Sequence, residues 1–174
     1  MNTIIENINK PRVYIETYGC QMNLADSELV MGILNQNGFD ISKDLNSADI
    51  VLLNTCSIRE HAEERIYGRL GNLKKLKNQK PDMVIGILGC MAERLRKDLI
   101  EEKSIVDLVV GPDEYRRLPE LIDTSFIGEK GIGVRLSRTE TYDDIIPYRE
   151  DGLMAWISVM RGCDKFCTFC VVPF

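Results

Sequence analysis

Short runs of apolar residues alternate along the chain with segments of helical periodicity. Residues 13–17 alternate apolar and polar side chains, which predicts a first, half-buried strand. Three later runs, at residues 48–54, 83–88 and 105–110, are apolar almost throughout and have the length of strands. Runs of this kind are typical of parallel strands that are covered on both faces. The pattern therefore predicts an α/β fold with an open, mainly parallel sheet and helices on both faces.

The segments between these runs carry helix signals. A helix is predicted over residues 24–37, with Asn23 as its N-cap and Asn37-Gly38 as its stop. Residues 57–60 match a capping box and predict the start of a second helix, whose lysine-rich end we interpret as solvated. Three further elements are predicted: an edge strand at residues 39–41, a helix after Cys90 and a short helix at residues 114–122.

The periodic pattern weakens after residue 124. Gly128, Gly131 and Gly133 are interpreted as hairpin turns, and residues 142–148 as a linker or an edge strand. Residues in this part of the chain do not match a dinucleotide-binding fingerprint in order or in context.

A domain boundary is predicted near residue 151. It divides the chain into an N-terminal α/β domain, residues 1–150, and the start of a second domain, residues 151–174. Residues 152–160 predict a buried strand, after which a cysteine-rich loop begins. Because the chain stops where a further helix is expected, the sequence predicts that the second domain is truncated.

Composition limits the classes of function. The chain has 174 residues and a net charge of −5, which argues against a broad polyanion-binding surface, although an RNA could be held by a region outside this chain. Six cysteines without a signal peptide predict reduced thiols in a cytoplasmic protein, and no apolar run reaches membrane-spanning length. Since His61 is the single histidine, a histidine-based zinc site or catalytic triad is not expected.

Three cysteines stand close together near residue 170, and we call them the loop cysteines: Cys163, Cys167 and Cys170. Their C-x₃-C-x₂-C spacing allows three thiolates to surround one soft metal centre. Structural zinc and ferredoxin clusters use four protein ligands, whereas a cluster held by three thiolates keeps one iron open. A zinc knuckle with its fourth ligand elsewhere is the alternative.

The other three cysteines each follow a predicted strand and precede a helix. We call them the strand-end cysteines: Cys20, Cys56 and Cys90. The carboxyl ends of parallel strands lie at one edge of a sheet, and helix N-termini there favour thiolates. This arrangement predicts a second three-thiolate site. The alternative is that three small buried side chains pack the strand ends.

The sequence motifs around these two sets of cysteines, in this order, resemble those of the methylthiotransferase family, whose members belong to the radical S-adenosylmethionine enzymes. Residues 19–23 (GCQMN), 54–60 (NTCSIRE), 89–92 (GCMA) and 161–174 (RGCDKFCTFCVVPF) are similar to the MiaB-type tRNA methylthiotransferases. The branches of the family that act on a ribosomal protein or on threonylcarbamoyl-adenosine typically have other sequence motifs at the first two cysteines. The similarity covers the whole chain, which lacks most of a radical domain and a C-terminal RNA-binding barrel.

The resemblance implies a reaction and its cofactors. It implies methylthiolation at C2 of N6-isopentenyladenosine, next to the tRNA anticodon. It assigns an auxiliary 4Fe–4S cluster to the strand-end cysteines, and a second 4Fe–4S cluster, which cleaves S-adenosyl-L-methionine to a 5′-deoxyadenosyl radical, to the loop cysteines. Phe169 is expected at the S-adenosylmethionine site, and residues 151–174 are expected to begin a (β/α) partial barrel.

The resemblance also carries expectations about partners. A tRNA substrate, a reductant protein such as flavodoxin or ferredoxin, a monomeric state and no membrane are expected. The fragment alone is expected to be inactive. The alternatives are another methylthiotransferase branch, a non-enzymatic iron–sulfur scaffold or electron carrier, and a structural zinc protein; iron–sulfide reconstitution and release of deoxyadenosine would separate them.

Overall fold

Six parallel strands form one open sheet in the computed structural model, which describes residues 10–56, 60–137, 139–149, 154–160, 165, 167 and 168. The strands lie in the order β2-β1-β3-β4-β5-β6, and each neighbouring pair is parallel. Their bounds are Arg12–Tyr18 (β1), Asp40–Ile41 (β2), Ile50–Thr55 (β3), Val84–Gly89 (β4), Leu108–Val110 (β5) and Gly131–Gly133 (β6). The predicted open parallel sheet is confirmed.

Helices cover both faces of this sheet, as the apolar strands predict. The α-helices are Gln21–Gln36 (α1), Glu60–Gln79 (α2), Cys90–Glu102 (α3) and Leu118–Phe126 (α4), and 3₁₀ turns occupy Leu45–Ser47 and Pro112–Arg117. Apolar residues of α1 and α4 pack on one face, whereas those of α2 and α3 pack on the other. Neighbouring strand residues alternate between the two cores: Leu52 faces the first and Leu53 the second, and both are fully buried.

The start of α1 differs from the prediction. The helix begins at Gln21 with Cys20 as its N-cap, so the assignment of Asn23 as N-cap is wrong. Asn23 lies at the third helical position, where its side-chain oxygen accepts from the Cys20 backbone N–H at 3.1 Å. Asn23 thus takes the reciprocal position of a capping box, which satisfies a backbone group at the helix start. The capping box predicted at residues 57–60 is not tested, because residues 57–59 lie outside the described residues.

The interpretation of Gly131 and Gly133 as hairpin turns is wrong. These residues are the ends of β6, which pairs in parallel with β5. A Cβ added at Gly133 would lie 2.9 Å from Leu121 Cδ1, so glycine at this position leaves room for α4 against the edge strand. The close approach of the helix, rather than a turn, accounts for this glycine.

The segment of residues 139–149 lies across α1 and the 3₁₀ turn Pro112–Arg117, and we call it the strap. The backbone N–H of Tyr148 donates to Glu28 O of α1 at 2.9 Å. The Tyr142 side chain is buried, and its hydroxyl donates to Pro112 O at 2.9 Å while accepting from Tyr115 N at 3.0 Å. The predicted edge strand is absent from residues 142–148, which form a packed irregular segment instead.

Residues 154–160 do not form the predicted buried strand. They have no regular secondary structure, and Met154, Ile157 and Val159 are each more than three-quarters exposed. An apolar strand is stable only when neighbouring strands pair with it, and within the described residues no strand lies beside this segment. The described helices include none that is both long and apolar enough to cross a bilayer.

Candidate metal centre at the carboxyl edge of the sheet

The strand-end cysteines follow three neighbouring strands at matched positions. In the sheet register, Tyr18 of β1 pairs with Thr55 of β3, and Thr55 pairs with Gly89 of β4. Cys56 and Cys90 come directly after Thr55 and Gly89, and the Cys20 turn comes directly after Tyr18. The fold therefore brings all three cysteines to one edge of the sheet, at the C-terminal ends of the strands.

This edge includes the point where the chain reverses its direction across the sheet. After β1 the chain crosses one face through α1, and after β3 it crosses the other face through α2. The two helices leave the sheet on opposite sides, and open α/β sheets bind ligands at such a point, outside the carboxyl ends of the strands. Cys20 and Cys56 follow the two strands on either side of this point. Cys20 and Cys90 are exposed at the edge, whereas Cys56 is buried.

Close packing holds the Cys20 turn against the Cys56 turn. Gly19 has a φ of 149°, and a Cβ placed on it would lie 2.9 Å from Cys56 Cβ. The Thr55 hydroxyl donates to Leu88 O of β4 at 2.8 Å, which fixes the β3 end against the β4 end. The separations of the turns are thus set by backbone contacts and not by the cysteine side chains alone.

A buried polar network lies directly beneath the cysteines. The Asn54 side-chain nitrogen donates to Asn23 O at 2.8 Å and to Ser27 Oγ at 2.9 Å, and Asn23 Nδ2 donates to Asn54 Oδ1 at 3.2 Å. The Ser27 hydroxyl also bonds Thr17 Oγ1 at 2.7 Å. Because buried amides and hydroxyls are costly unless they are hydrogen-bonded, these partners tie the first turn of α1 to β1 and β3.

The thiol of Cys90 is the most strongly perturbed of the described cysteines. Its pKa is raised from 9.0 to about 11, first by partial burial and then by the nearby Cys56, Asp26 and Cys20. The influence of Cys56 and Cys20 on this thiol means that both lie near the Cys90 sulfur. A cation placed among them would reverse the sign of this effect and favour the thiolates.

The donor set fits an iron–sulfur cluster better than a single ion. Cysteine thiolates are the ligands that such clusters take. Within the described ranges, no three His, Cys, Asp or Glu side chains are arranged to hold one metal ion as they stand. An iron–sulfur cluster at this edge would be held by the thiolates of Cys20, Cys56 and Cys90, and it would supply the redox and sulfur chemistry that side chains lack.

Most of the loop-cysteine segment, including Phe169, falls outside the residues that the structure describes. Cys167 is exposed, and its backbone N–H donates to Lys165 O at 3.0 Å. Cys163, Cys170 and Phe169 lie outside the described residues. Their assignment to a second cluster and to S-adenosylmethionine stays a prediction.

Buried polar residues that the sequence pattern did not predict support the strand-end cysteines. Asn54 is fully buried, and Asp26 and Ser27 are buried on α1. The Tyr115 hydroxyl donates to Asp26 Oδ2 at 3.3 Å, so this carboxylate is hydrogen-bonded beside Cys90. A signal was present in the sequence: polar residues occupy positions 23, 26 and 27 on the face of α1 that continues as the apolar Val30 and Ile33.

Comparison with known proteins identifies the family. Residues 12–111 match the family described as "Uncharacterized protein family UPF0004", and this match covers more than half of the chain. The chain belongs to this family. Proteins named tRNA-2-methylthio-N(6)-dimethylallyladenosine synthase are also similar to it, and the resemblance to the MiaB-type methylthiotransferases is confirmed.

Three such relatives illustrate the degree of similarity. The protein of Chloroherpeton thalassium is 54% identical over 165 residues, which is 95% of this chain and 37% of the relative. That of Amoebophilus asiaticus is 53% identical over 175 residues, or 97% of this chain and 36% of the relative. The protein of Bacteroides thetaiotaomicron is 51% identical over 165 residues, which is 94% of this chain and 36% of the relative. The chain thus spans little more than a third of the length of these relatives.

Proposed function

We propose that this chain is the cluster-binding N-terminal part of a tRNA methylthiotransferase that acts at C2 of N6-isopentenyladenosine beside the anticodon. The observation that supports this proposal best is the matched position of three cysteines after β1, β3 and β4, in a chain about half identical to enzymes of that name. In this proposal the strand-end cysteines hold an auxiliary 4Fe–4S cluster, and the loop cysteines hold a second one that binds S-adenosyl-L-methionine beside Phe169.

The bound groups would supply the chemistry that amino acid side chains lack. Replacement of the C2–H bond by a C2–S–CH₃ group needs a sulfur atom, a methyl group from one S-adenosylmethionine and radical cleavage of another, all of which the clusters and this cofactor supply. The role of the protein is to bind the clusters and the cofactor, to orient them and to shield them from water. The three thiols lie at the carboxyl edge of the sheet, and hydrogen bonds among Asn23, Ser27 and Asn54 hold the turns that carry Cys20 and Cys56.

The protein environment also controls when the site can be loaded. Because the Cys90 pKa lies near 11 in the metal-free protein, cluster binding must displace a proton from this thiol. Burial is the main cause of the raised Cys90 pKa, and the buried Asp26, which is bonded to Tyr115, adds to it by disfavouring an uncompensated Cys90 thiolate. A positive iron centre would remove this repulsion.

The remaining assignments follow from the same proposal. Residues 1–150 form the N-terminal domain, and residues 151–174 begin a radical S-adenosylmethionine domain of (β/α) partial-barrel type. The full enzyme works as a cytoplasmic monomer, takes electrons from a flavodoxin- or ferredoxin-type protein, and binds tRNA mainly through regions that this chain does not include. The net charge of −5 supports that last assignment, since tRNA is a polyanion.

The decisive experiment for this function is mass spectrometry of nucleosides from tRNA. Cells that lack the gene should accumulate N6-isopentenyladenosine, and the full-length gene should restore the 2-methylthio derivative. Variants with all strand-end cysteines, or all loop cysteines, changed to alanine should each fail to restore it.

Two outcomes would contradict the proposal. Methylthio transfer to threonylcarbamoyl-adenosine or to a ribosomal-protein aspartate, with isopentenyladenosine untouched, would place the enzyme in another branch. Cluster binding without release of 5′-deoxyadenosine from S-adenosylmethionine by the reduced protein would show a non-enzymatic iron–sulfur scaffold.

A further inference from the structure

One fully buried side chain, the amide of Asn54, contacts or adjoins all three turns that carry the strand-end cysteines. It bonds the Cys20 turn through Asn23, and it lies two residues before Cys56 on the same strand end. On the third side, a Cβ added at Gly89 would lie 2.6 Å from Asn54 Oδ1, so the residue before Cys90 packs directly on this oxygen.

The orientation of the two asparagine amides is fixed by partners that have only one hydrogen-bonding role. Asn23 O is a carbonyl and can only accept, so the nitrogen of Asn54 must face it at 2.8 Å. Cys20 N–H can only donate, so the oxygen of Asn23 must face it at 3.1 Å. The Asn23 nitrogen is then left to donate to Asn54 Oδ1 at 3.2 Å and to Thr55 O at 3.4 Å. The two amides form a directed cross-link between α1 and the β3 end.

We propose that Asn54 and Asn23 are positioning residues for the auxiliary cluster: their cross-link sets the spacing of the Cys20, Cys56 and Cys90 turns before any iron binds. This inference rests on the proposed cluster at the strand-end cysteines. One ligand atom touches the cross-link, because the Cys20 thiol donates to Asn23 Oδ1 at 3.5 Å. The cross-link acts by holding three backbone turns at one separation, so that the thiolates do not have to be ordered by the cluster itself. Residues with this kind of supporting role typically change metal affinity by about 10–100-fold when they are replaced.

Two nearly isosteric substitutions test the cross-link without removing volume. In Asn54→Asp, an oxygen replaces the nitrogen that donates to Asn23 O, and both partners then accept. In Asn23→Asp, the oxygen that accepts from Cys20 N–H is kept, so α1 stays capped, but the bond to Asn54 Oδ1 is lost. Asn23→Asp therefore keeps the helix cap while it removes the cross-link, and it also places a carboxylate beside the Cys20 thiol, which lies 3.5 Å from Asn23 Oδ1.

Asn37→Asp is a control for the loss of an amide-to-carbonyl hydrogen bond at an exposed position of the same helix. Asn37 Nδ2 donates to Ile33 O at 2.8 Å at the opposite end of α1, so this change also removes an amide-to-carbonyl hydrogen bond. Each substitution is made in full-length protein whose loop cysteines are changed to alanine, so that the auxiliary cluster is the one under observation. The measurements are the rate of bleaching of the cluster in excess EDTA under anaerobic conditions, the electron paramagnetic resonance spectrum of the reduced cluster, and urea unfolding of the metal-free protein.

The expected result is that Asn54→Asp and Asn23→Asp lose the cluster about tenfold faster or more than the parent, with an altered spectrum, whereas Asn37→Asp matches the parent. If Asn54→Asp does not fold, Asn23→Asp decides. A parent-like rate and spectrum in Asn23→Asp would overturn the inference, and so would equal acceleration in the Asn37→Asp control. A parent protein that binds no cluster would instead contradict the proposed function, and the inference would fall with it.

Discussion

The Cys90 thiol is partly buried. It lies near two other thiols, those of Cys20 and Cys56, and near the buried carboxylate of Asp26. These surroundings raise its pKa to about 11 and make it a poor nucleophile when the site is metal-free. The same proximity makes it a good ligand once a cation compensates the thiolate charge. Cysteine reactivity at this edge should therefore depend on pH and on Asp26.

Alkylation of the metal-free full-length protein measures this directly. At pH 8, a thiol with a pKa near 11 has about 100-fold less thiolate than a thiol with a pKa of 9. The thiolate of the weaker acid is, however, the better nucleophile, which recovers about tenfold. Cys90 should therefore react about tenfold more slowly than an ordinary cysteine. Its rate should rise through pH 9 and 10, because the thiolate fraction grows until the pKa is passed. Asp26→Asn should lower the pKa and speed the reaction. Iodoacetamide labelling followed by peptide mass spectrometry gives the rate at each pH; a Cys90 rate that levels off near pH 9 would contradict this account.

Among the elements, the turn from β4 to α3 sets the position of Cys90. Gly89 has φ 87° and ψ −157°, a region that is almost exclusive to glycine. A Cβ at this position would also lie 2.6 Å from Asn54 Oδ1 and 3.2 Å from Thr55 N, inside the packed strand ends. Glycine is needed here both for its conformation and for its lack of a side chain.

Gly89→Ala should therefore be far more costly than the matched change Gly128→Ala. Gly128 also has a positive φ, 86°, but a Cβ there would meet nothing within 4 Å. We expect Gly128→Ala to lower the free energy of unfolding by about 1–2 kcal/mol from backbone strain alone, and Gly89→Ala by about 2–5 kcal/mol once steric overlap is added. Urea unfolding of the metal-free protein compares them. Equal losses would show that the Gly89 turn can relax and that the strand ends are not tightly packed.

For the whole molecule, the sequence was sufficient to predict the sheet but not its polar interior. Continuous apolar runs identified β3, β4 and β5, because strands covered on both faces carry little else. The pattern did not predict β6, because the glycines there leave room for α4. It predicted a strand at residues 154–160, but an apolar segment forms a strand only if another strand pairs with it.

Tertiary contacts account for the other misses. Lys77, interpreted as part of a solvated helix end, instead forms an ion pair with Asp107, because the end of α2 lies beside the residues that precede β5. The cysteines at strand ends could be predicted from spacing, whereas the Asn23–Asn54 cross-link could not. Side-chain hydrogen bonds between residues 31 positions apart depend on strand order and register, which local periodicity does not encode.

The central claim is that the strand-end cysteines share one iron–sulfur cluster that is separate from the cluster of the loop cysteines. Iron and sulfide analysis with Mössbauer spectroscopy, on full-length protein in which either set is changed to alanine, tests it most directly. The account predicts that each variant keeps about half of the iron as one 4Fe–4S cluster and that changing both sets removes all of it. Full iron content after loss of the strand-end cysteines, or loss of the same cluster in both variants, would contradict the claim.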